Sequence, residues 1–509
     1  MKKALLLLIA LVLAGCAVGP DYRRPETNAP ENWRFSDEKA VKDAANMAWW
    51  EQLNDPVLKD LIRTALQENK DVKIAAARVE QYLGLYGATR ADLFPQVGAA
   101  GSAVNQRAST ILDPSPLQRS GLDPRYRTYE AFLNASWEID LWGRLRRSTE
   151  AARANLLSNE EARKGVILTL VTSVAGSYIT LRDLDRQLEI ARQTVATREG
   201  SYNLFKLKFE GGLISELELT QSQSLYEEAL ASIPYYEKLV SQQEDSLSVL
   251  LGRNPGPIPR GKTIDELALL TVPAGLPSDL LTNRPDLRQA EENLVAANAN
   301  IGAAKAQYFP SISLTGALGS ASSDLSELFT GAAKSWSYGG QVSIPIFTAG
   351  KISGQVKAAE ALQQQSLFSY QQAVQNAFQE VEDALVDQKR SREQLEMQAR
   401  QVSTLTRYNQ IAKMRFDEGY TSYMEVLDAE RSLFSAQLSY AQTQGTVFLS
   451  LINLYKAMGG GWVVEADKLT APPAGNQKKE TWGKVVPAKG NAADSSVVGG
   501  SPAAEPKKQ

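Results

Sequence analysis

The chain runs through the same series of elements twice, and each pass contains too little β-structure to close on itself. Ala91-Asp92-Leu93-Phe94-Pro95 returns as Ala306-Gln307-Tyr308-Phe309-Pro310. Trp142-Gly143-Arg144-Leu145 holds the place of Ala349-Gly350-Lys351-Ile352, and Lys208-Phe209-Glu210-Gly211-Gly212-Leu213 that of Arg415-Phe416-Asp417-Glu418-Gly419-Tyr420. Self-similarity of this kind marks a duplicated architecture. Each half reads helix, Phe-Pro stop, two strands, glycine, very long helix, glycine turn, second long helix. The halves cover about 47–260 and 261–465. Gly252–Lys262 between them, with Pro255, Pro257 and Pro259, has the composition of a linker.

Strands are expected over about 96–106, 126–142, 311–319 and 335–347. In 126–142, Tyr129, Ala131, Leu133, Ala135, Trp137, Ile139 and Leu141 form one face, while Thr128, Glu130, Asn134, Ser136, Glu138 and Asp140 form most of the other. One apolar and one polar face over ~10 residues is the pattern of a membrane-spanning barrel strand. A soluble sandwich would show a similar alternation, but without the leader and long helices found here. Single-chain barrels begin at about eight strands, and an open sheet would leave two bare edges in lipid. The strands must therefore close with other copies. Two copies give a lumen filled by side chains, and three give twelve strands around an open one.

The helices are as constraining. From Arg144 to about Glu210 there is no proline, and Val174, Leu181, Leu188, Val195, Tyr202 and Phe209 recur every seven residues as a coiled-coil seam. The second repeat offers Val374, Val381, Leu395, Val402 and Phe416, with polar Gln388 and Asn409 interrupting. Some 65 helical residues span ~100 Å, too long for a compact body. Long hairpins are expected over about 143–252 and 350–458, with Gly211-Gly212 and Gly419 as caps and a kink at Pro234.

Residues 1–15 read as a signal peptide, with Lys2 and Lys3 ahead of an apolar Ala4–Leu13. It ends in a lipobox, Leu13-Ala14-Gly15-Cys16. Cys16 is the one cysteine, so cleavage before it leaves a site for diacylglyceryl and N-acyl lipid. Several acyl chains make a stable tether at ~0.8 kcal/mol per buried methylene. Ala17, rather than Asp, follows the cysteine; by resemblance to bacterial sorting rules this directs the lipoprotein to the outer membrane. Residues 16–46 then form a lipid-anchored N-terminal segment. No internal run of 18 apolar residues occurs, so no transmembrane helix is expected. The segment 466–509, rich in Pro, Ala, Gly and Lys, is expected to be disordered. A net charge of −3 with interspersed signs argues against nucleic acid as a partner. Histidine is absent, which removes the usual general base and the commonest metal ligand.

Cys16-Ala17-Val18-Gly19-Pro20-Asp21-Tyr22 followed by Arg24-Pro25, the stretch Asn283-Arg284-Pro285-Asp286-Leu287-Arg288-Gln289-Ala290-Glu291, Leu427-Asp428-Ala429-Glu430-Arg431 and Leu454-Tyr455-Lys456-Ala457-Met458-Gly459-Gly460-Gly461-Trp462 fall in order along the chain. Together they resemble the lipoprotein branch of the TolC-like outer membrane factors. The resemblance implies a mainly α fold with membrane β-structure: a homotrimer, a twelve-stranded barrel, a helical periplasmic tunnel and a middle belt. It implies an inner-membrane pump, often of the resistance-nodulation-division type, and a periplasmic adaptor as partners. It places a periplasmic gate at Met424, Asp428 and Arg431, as apolar plug, carboxylate ring and ion-pair latch. Their spacing puts them on one helix face. Glu430 departs from the family's usual Gln and is expected to add negative charge near the mouth.

Glu130, Glu138 and Asp140 share the polar strand face and would make the barrel lumen acidic. An enzyme is a poor alternative: Ala349-Gly350-Lys351-Ile352-Ser353 lacks the first glycine and the Ser/Thr of a phosphate loop. No cofactor site and no metal site are expected. A trimeric coiled-coil adhesin conflicts with the duplication. A type I secretion or metal-efflux duct shares the fold, but six methionines offer no soft-ligand path, so export of drugs or small molecules ranks first.

Overall fold

The computed structural model describes residues 17–27, 30, 33–35, 48–107, 125–268 and 280–470. The signal peptide, Cys16 and the chain beyond Thr470 lie outside them.

Helices α1 (Trp49–Gln52), α2 (Pro56–Glu68) and α3 (Lys70–Ala91) lead into strands β1 (Gln96–Arg107) and β2 (Arg125–Ile139), then helices α4 (Arg144–Glu210) and α5 (Glu216–Leu250). The second pass gives α6 (Leu280–Asn283), α7 (Pro285–Ala306), β3 (Ser311–Ser322), β4 (Lys334–Ser343), α8 (Lys351–Asp417) and α9 (Tyr423–Ala457), closed by α10 (Val463–Lys468). Equivalent helices match in length: 22 residues in α3 and α7, 67 in α4 and α8, 35 in α5 and α9.

The strands form one antiparallel sheet in the order β1-β2-β3-β4, so β1 and β4 are its edges. Register aligns Leu133 with Leu318 and Ala99, and Leu318 with Trp336. These share one face, since side chains alternate along a strand. Glu130 lies opposite Ser102 and Ala321 on the other. The strand expected to reach residue 142 stops at Ile139, which removes Asp140 from the polar face. Asp140 instead accepts hydrogen bonds from the Leu145 and Arg146 amides at 3.1 and 2.8 Å. It satisfies amides that the start of α4 leaves without helical partners.

At the far end of α4, the Leu213 amide donates to the Lys208 carbonyl and the Gly212 amide to Phe209. Tyr420 and Gly419 repeat this pair on Arg415 and Phe416 at the end of α8. Both turns are Schellman motifs, with Gly212 (φ 74°) and Gly419 (φ 80°) in the left-handed position. Ser215 and Glu218 then cap α5 reciprocally. Helix α5 runs unbroken through Pro234.

The apolar seam of α4 changes phase along the helix. Val174, Leu181 and Leu188 are buried as the heptads predict, but below them the buried positions are Ala191, Arg198 and Phe205, while Phe209 is exposed. A straight helix drifts ~20° per heptad against a strict seven-residue repeat. Helix α4 also packs against several elements, with α7, α3, α5 and α9 all in contact with it.

The main core joins α1, α2, the middle of α4, the end of α9 and α10. Trp49 and Trp462 have no exposed surface, and Trp49 stacks on Tyr455 at 5.2 Å. Part of α4 averages a hydropathy of 1.4 over 18 residues, as apolar as a membrane span, but half of that window is buried inside the molecule. The first residues of the segment expected to be disordered from 466 are packed. Ala466 is fully buried, and Asp467 pairs with Arg163 at 2.6 Å.

The proline-rich segment between the repeats is fastened along its length. Arg260 pairs with Asp185 and Glu244. Arg182 donates to the Lys262 carbonyl, the Gly261 amide to the Tyr178 hydroxyl, and the Lys262 amide to Asp55. The N-terminal segment is held similarly, by Asp21 on Arg147 and Arg24 on Glu291, both at 2.7 Å. Arg284, buried ahead of Pro285, donates to Asp286, Glu380 and the Ala457 carbonyl and so joins α7, α8 and the end of α9.

Candidate functional site

Two regions hold the residues singled out from the sequence: the hairpin tips and the polar face of the sheet. At the tips an aromatic cluster ties the two hairpins together. Phe205 of α4 lies 3.8 Å from Tyr423 of α9 and 5.8 Å from Phe416 of α8, ring centre to ring centre. The Lys208 ammonium sits 5.3 Å over Phe416, a cation–π contact. Burial raises the pKa of the Tyr423 hydroxyl, and the nearby Glu430 charge adds to this.

Beyond this cluster, α9 presents Met424, Asp428 and Arg431 to solvent. Met424 is 56% exposed, and Arg431 donates to Asp428 at 3.2 Å one turn away. The three share a face, and within one chain Arg431 pairs with the neighbouring Asp428. Glu430 faces the opposite way. Its side chain is buried and pairs with Lys413 of α8 at 2.7 Å, so the expected extra charge near the mouth is neutralised inside the hairpin. Arg198 is a second buried charge that sequence reasoning missed. It donates to the Leu225 carbonyl, lies 3.3 Å from Glu228, and covers the Phe434 ring at 5.2 Å. Arg198 and Phe205 are seven residues apart, so reading the seam for charged members could have found it.

On the sheet, Glu130 accepts from Ser102 at 3.2 Å, and Glu138 pairs with Arg144 at 2.7 Å where β2 turns into α4. Trp142 stacks on Phe309 at 4.8 Å and donates to the Pro310 carbonyl. The Val18 amide donates to the Trp142 carbonyl at 2.9 Å, which ties the N-terminal segment to this corner. No nucleophile with an adjacent base and no converging donor set for a cofactor occurs at the tips or on this face among the described residues. What the arrangement offers is a polar wall in line with a pair of hairpins.

Known proteins share this arrangement. The family described as outer membrane efflux protein matches residues 61–253 and 276–460. The probable efflux pump outer membrane protein TtgC of Pseudomonas putida is 39% identical over 471 residues, covering 91% of this chain and 96% of its own. The cation efflux system protein CusC of Escherichia coli is 37% identical over 465 residues, covering 90% and 99%. The solved outer-membrane channel OprN superposes with a TM-score of 0.82 at 29% identity, covering 88% of this chain and 100% of its own.

Proposed function

The chain belongs to the outer membrane efflux protein family, and from that membership we propose that three copies form one passive export duct, with twelve barrel strands above and six hairpins below. The open sheet carries this reading. Among the described residues both β1 and β4 have a bare edge, which lipid cannot satisfy. The duplication supports it again. Helix α7 packs between α4 and α8, whereas its counterpart α3 packs chiefly on α4 and leaves Ile74, Leu83 and Leu85 exposed. The α8 of a second copy, with Leu362 and Phe368 exposed, supplies the missing neighbour.

The duct has no energy source of its own and performs no catalysis. Cargo reaches it from an inner-membrane pump of the resistance-nodulation-division type through a periplasmic adaptor, a role consistent with relatives named as efflux pump outer membrane proteins. Met424, Asp428 and Arg431 close the tunnel at its periplasmic end, and Glu130 gives the barrel interior a cation-preferring wall, while Glu138 is balanced by Arg144. Lipid on Cys16 anchors the chain to the outer membrane. Small organic molecules rank ahead of metal ions as cargo. Relatives are named for toluene, solvent and antibiotic efflux, and this chain has no histidine to pass a metal along.

Cross-linking tests the assembly. Cysteines at Ala99 of β1 and Gly340 of β4, in a Cys16→Ser background, should join with a short bifunctional reagent into a covalent trimer in detergent. A monomer that stays soluble without detergent would overturn the duct.

A further inference from the structure

The charged residues of the four strands are sorted by face. Arg107 lies opposite Arg125 in the β1–β2 register, and Arg127 is two residues further on, so these three share a face. Lys334 pairs with Ser320, on the same face as Trp336, Tyr338 and Leu318. That is the apolar face, which meets lipid in the barrel. The two strand acids, Glu130 and Glu138, lie on the other. All four bases also sit at the strand ends remote from the helices, the extracellular rim.

Their height is informative. The apolar face of β2 runs from Ile139 to Tyr129, ten residues or ~33 Å along the strand. At the ~40° tilt of a barrel strand this is ~25 Å, the height of a membrane barrel's apolar band. Arg127 and Arg125 stand on the next two rungs, just beyond the acyl chains. Arg107 and Arg125 stand directly opposite each other, which brings two guanidinium groups to one place on the rim. Arg127 also favours the ionised form of Asp324 in the β3–β4 connection, though the Ser326 amide does so more. The outer leaflet of a bacterial outer membrane is built from glycolipid whose sugars carry phosphate at this depth. Guanidinium groups bind phosphate through paired N–H donors.

We propose that Arg107, Arg125, Arg127 and Lys334 form a phosphate-binding girdle on the lipid-facing rim of the barrel, holding the phosphorylated glycolipid of the outer leaflet. This rests on the barrel reading and adds a lipid partner to it. The three protomers together would present twelve such side chains.

Native mass spectrometry of the purified trimer can test this, with diphosphorylated lipid A and its dephosphorylated form as probes. Wild type should bind the phosphorylated form at least tenfold more tightly than the dephosphorylated one. The combined Arg107→Gln, Arg125→Gln, Arg127→Gln, Lys334→Gln variant should lose that preference, and a variant with all three arginines changed to Lys should keep most of it. Millimolar inorganic phosphate should not displace the lipid; displacement would assign the rim to free anions and overturn the proposal. Equal binding of the two lipids by wild type would also overturn it, even if the glutamine variant failed to assemble. Conductance of the same preparation reports the duct separately, so a conducting wild-type trimer that binds both lipids equally rejects only the girdle.

Discussion

Asp183 of α4 meets α9 at Gly445, where an added Cβ would stand about 3.0 Å from the carboxyl carbon. One of its carboxylate oxygens lacks a hydrogen-bond partner among the described residues. Burial pushes its pKa up from 3.8 to about 6, with Gln187 opposing, and Tyr236 of α5 lies close by. The folded protein therefore holds this proton more tightly than the unfolded chain does. Stability falls as pH rises from about 4 through about 6. Asp183→Asn should flatten that slope and raise stability at pH 7 by on the order of 3 kcal/mol; thermal melts in detergent from pH 4 to 7.5 would show it, and parallel curves would count against it. Lys413→Ala strands the Glu430 charge and should cost about 2 kcal/mol. Removing both partners should recover most of the loss in a double-mutant cycle. The Lys413–Glu430 pair was not legible beforehand. Lys413, Glu430 and Arg198 look like solvated charges until it is known which side of each helix its neighbour covers.

Among the elements, the hairpin turns were readable because a left-handed residue after a helix calls for glycine. Gly212→Ala and Gly419→Ala have open space around them and should each cost about 1 kcal/mol through backbone strain alone. Gly459→Ala should lower the melting temperature further, because its Cβ would collide with the buried Arg284. The four strands were readable from their period of two, apart from their ends, where Asp140 left the sheet to serve a helix. The lower seam of α4 was misphased because a strict count of seven ignores helical drift and a change of partner. Prolines suggested a linker at Gly252–Lys262, but composition does not reveal the carboxylates and hydroxyl that fasten it.

Over the whole molecule, strand number and helix length together argue for several copies, an argument that could be made from the sequence. The half-covered helix α3 was not legible there, since exposure depends on which copy lies beside it. Function is tested at this scale too. Asp428→Ala should raise single-channel conductance of the reconstituted trimer several-fold, and an unchanged conductance in a folded trimer would remove Asp428 from the gate. The matched lengths of α4 with α8 and α5 with α9 have a further consequence for inheritance. Seven residues add ~10.5 Å to a helix, so a change in one hairpin alone leaves its turn stranded above or below the other. Tunnels of this design can grow or shrink only by edits made in both duplicated halves. Deleting one heptad from each arm of a single hairpin should abolish export, and the same deletion in the other hairpin should restore it.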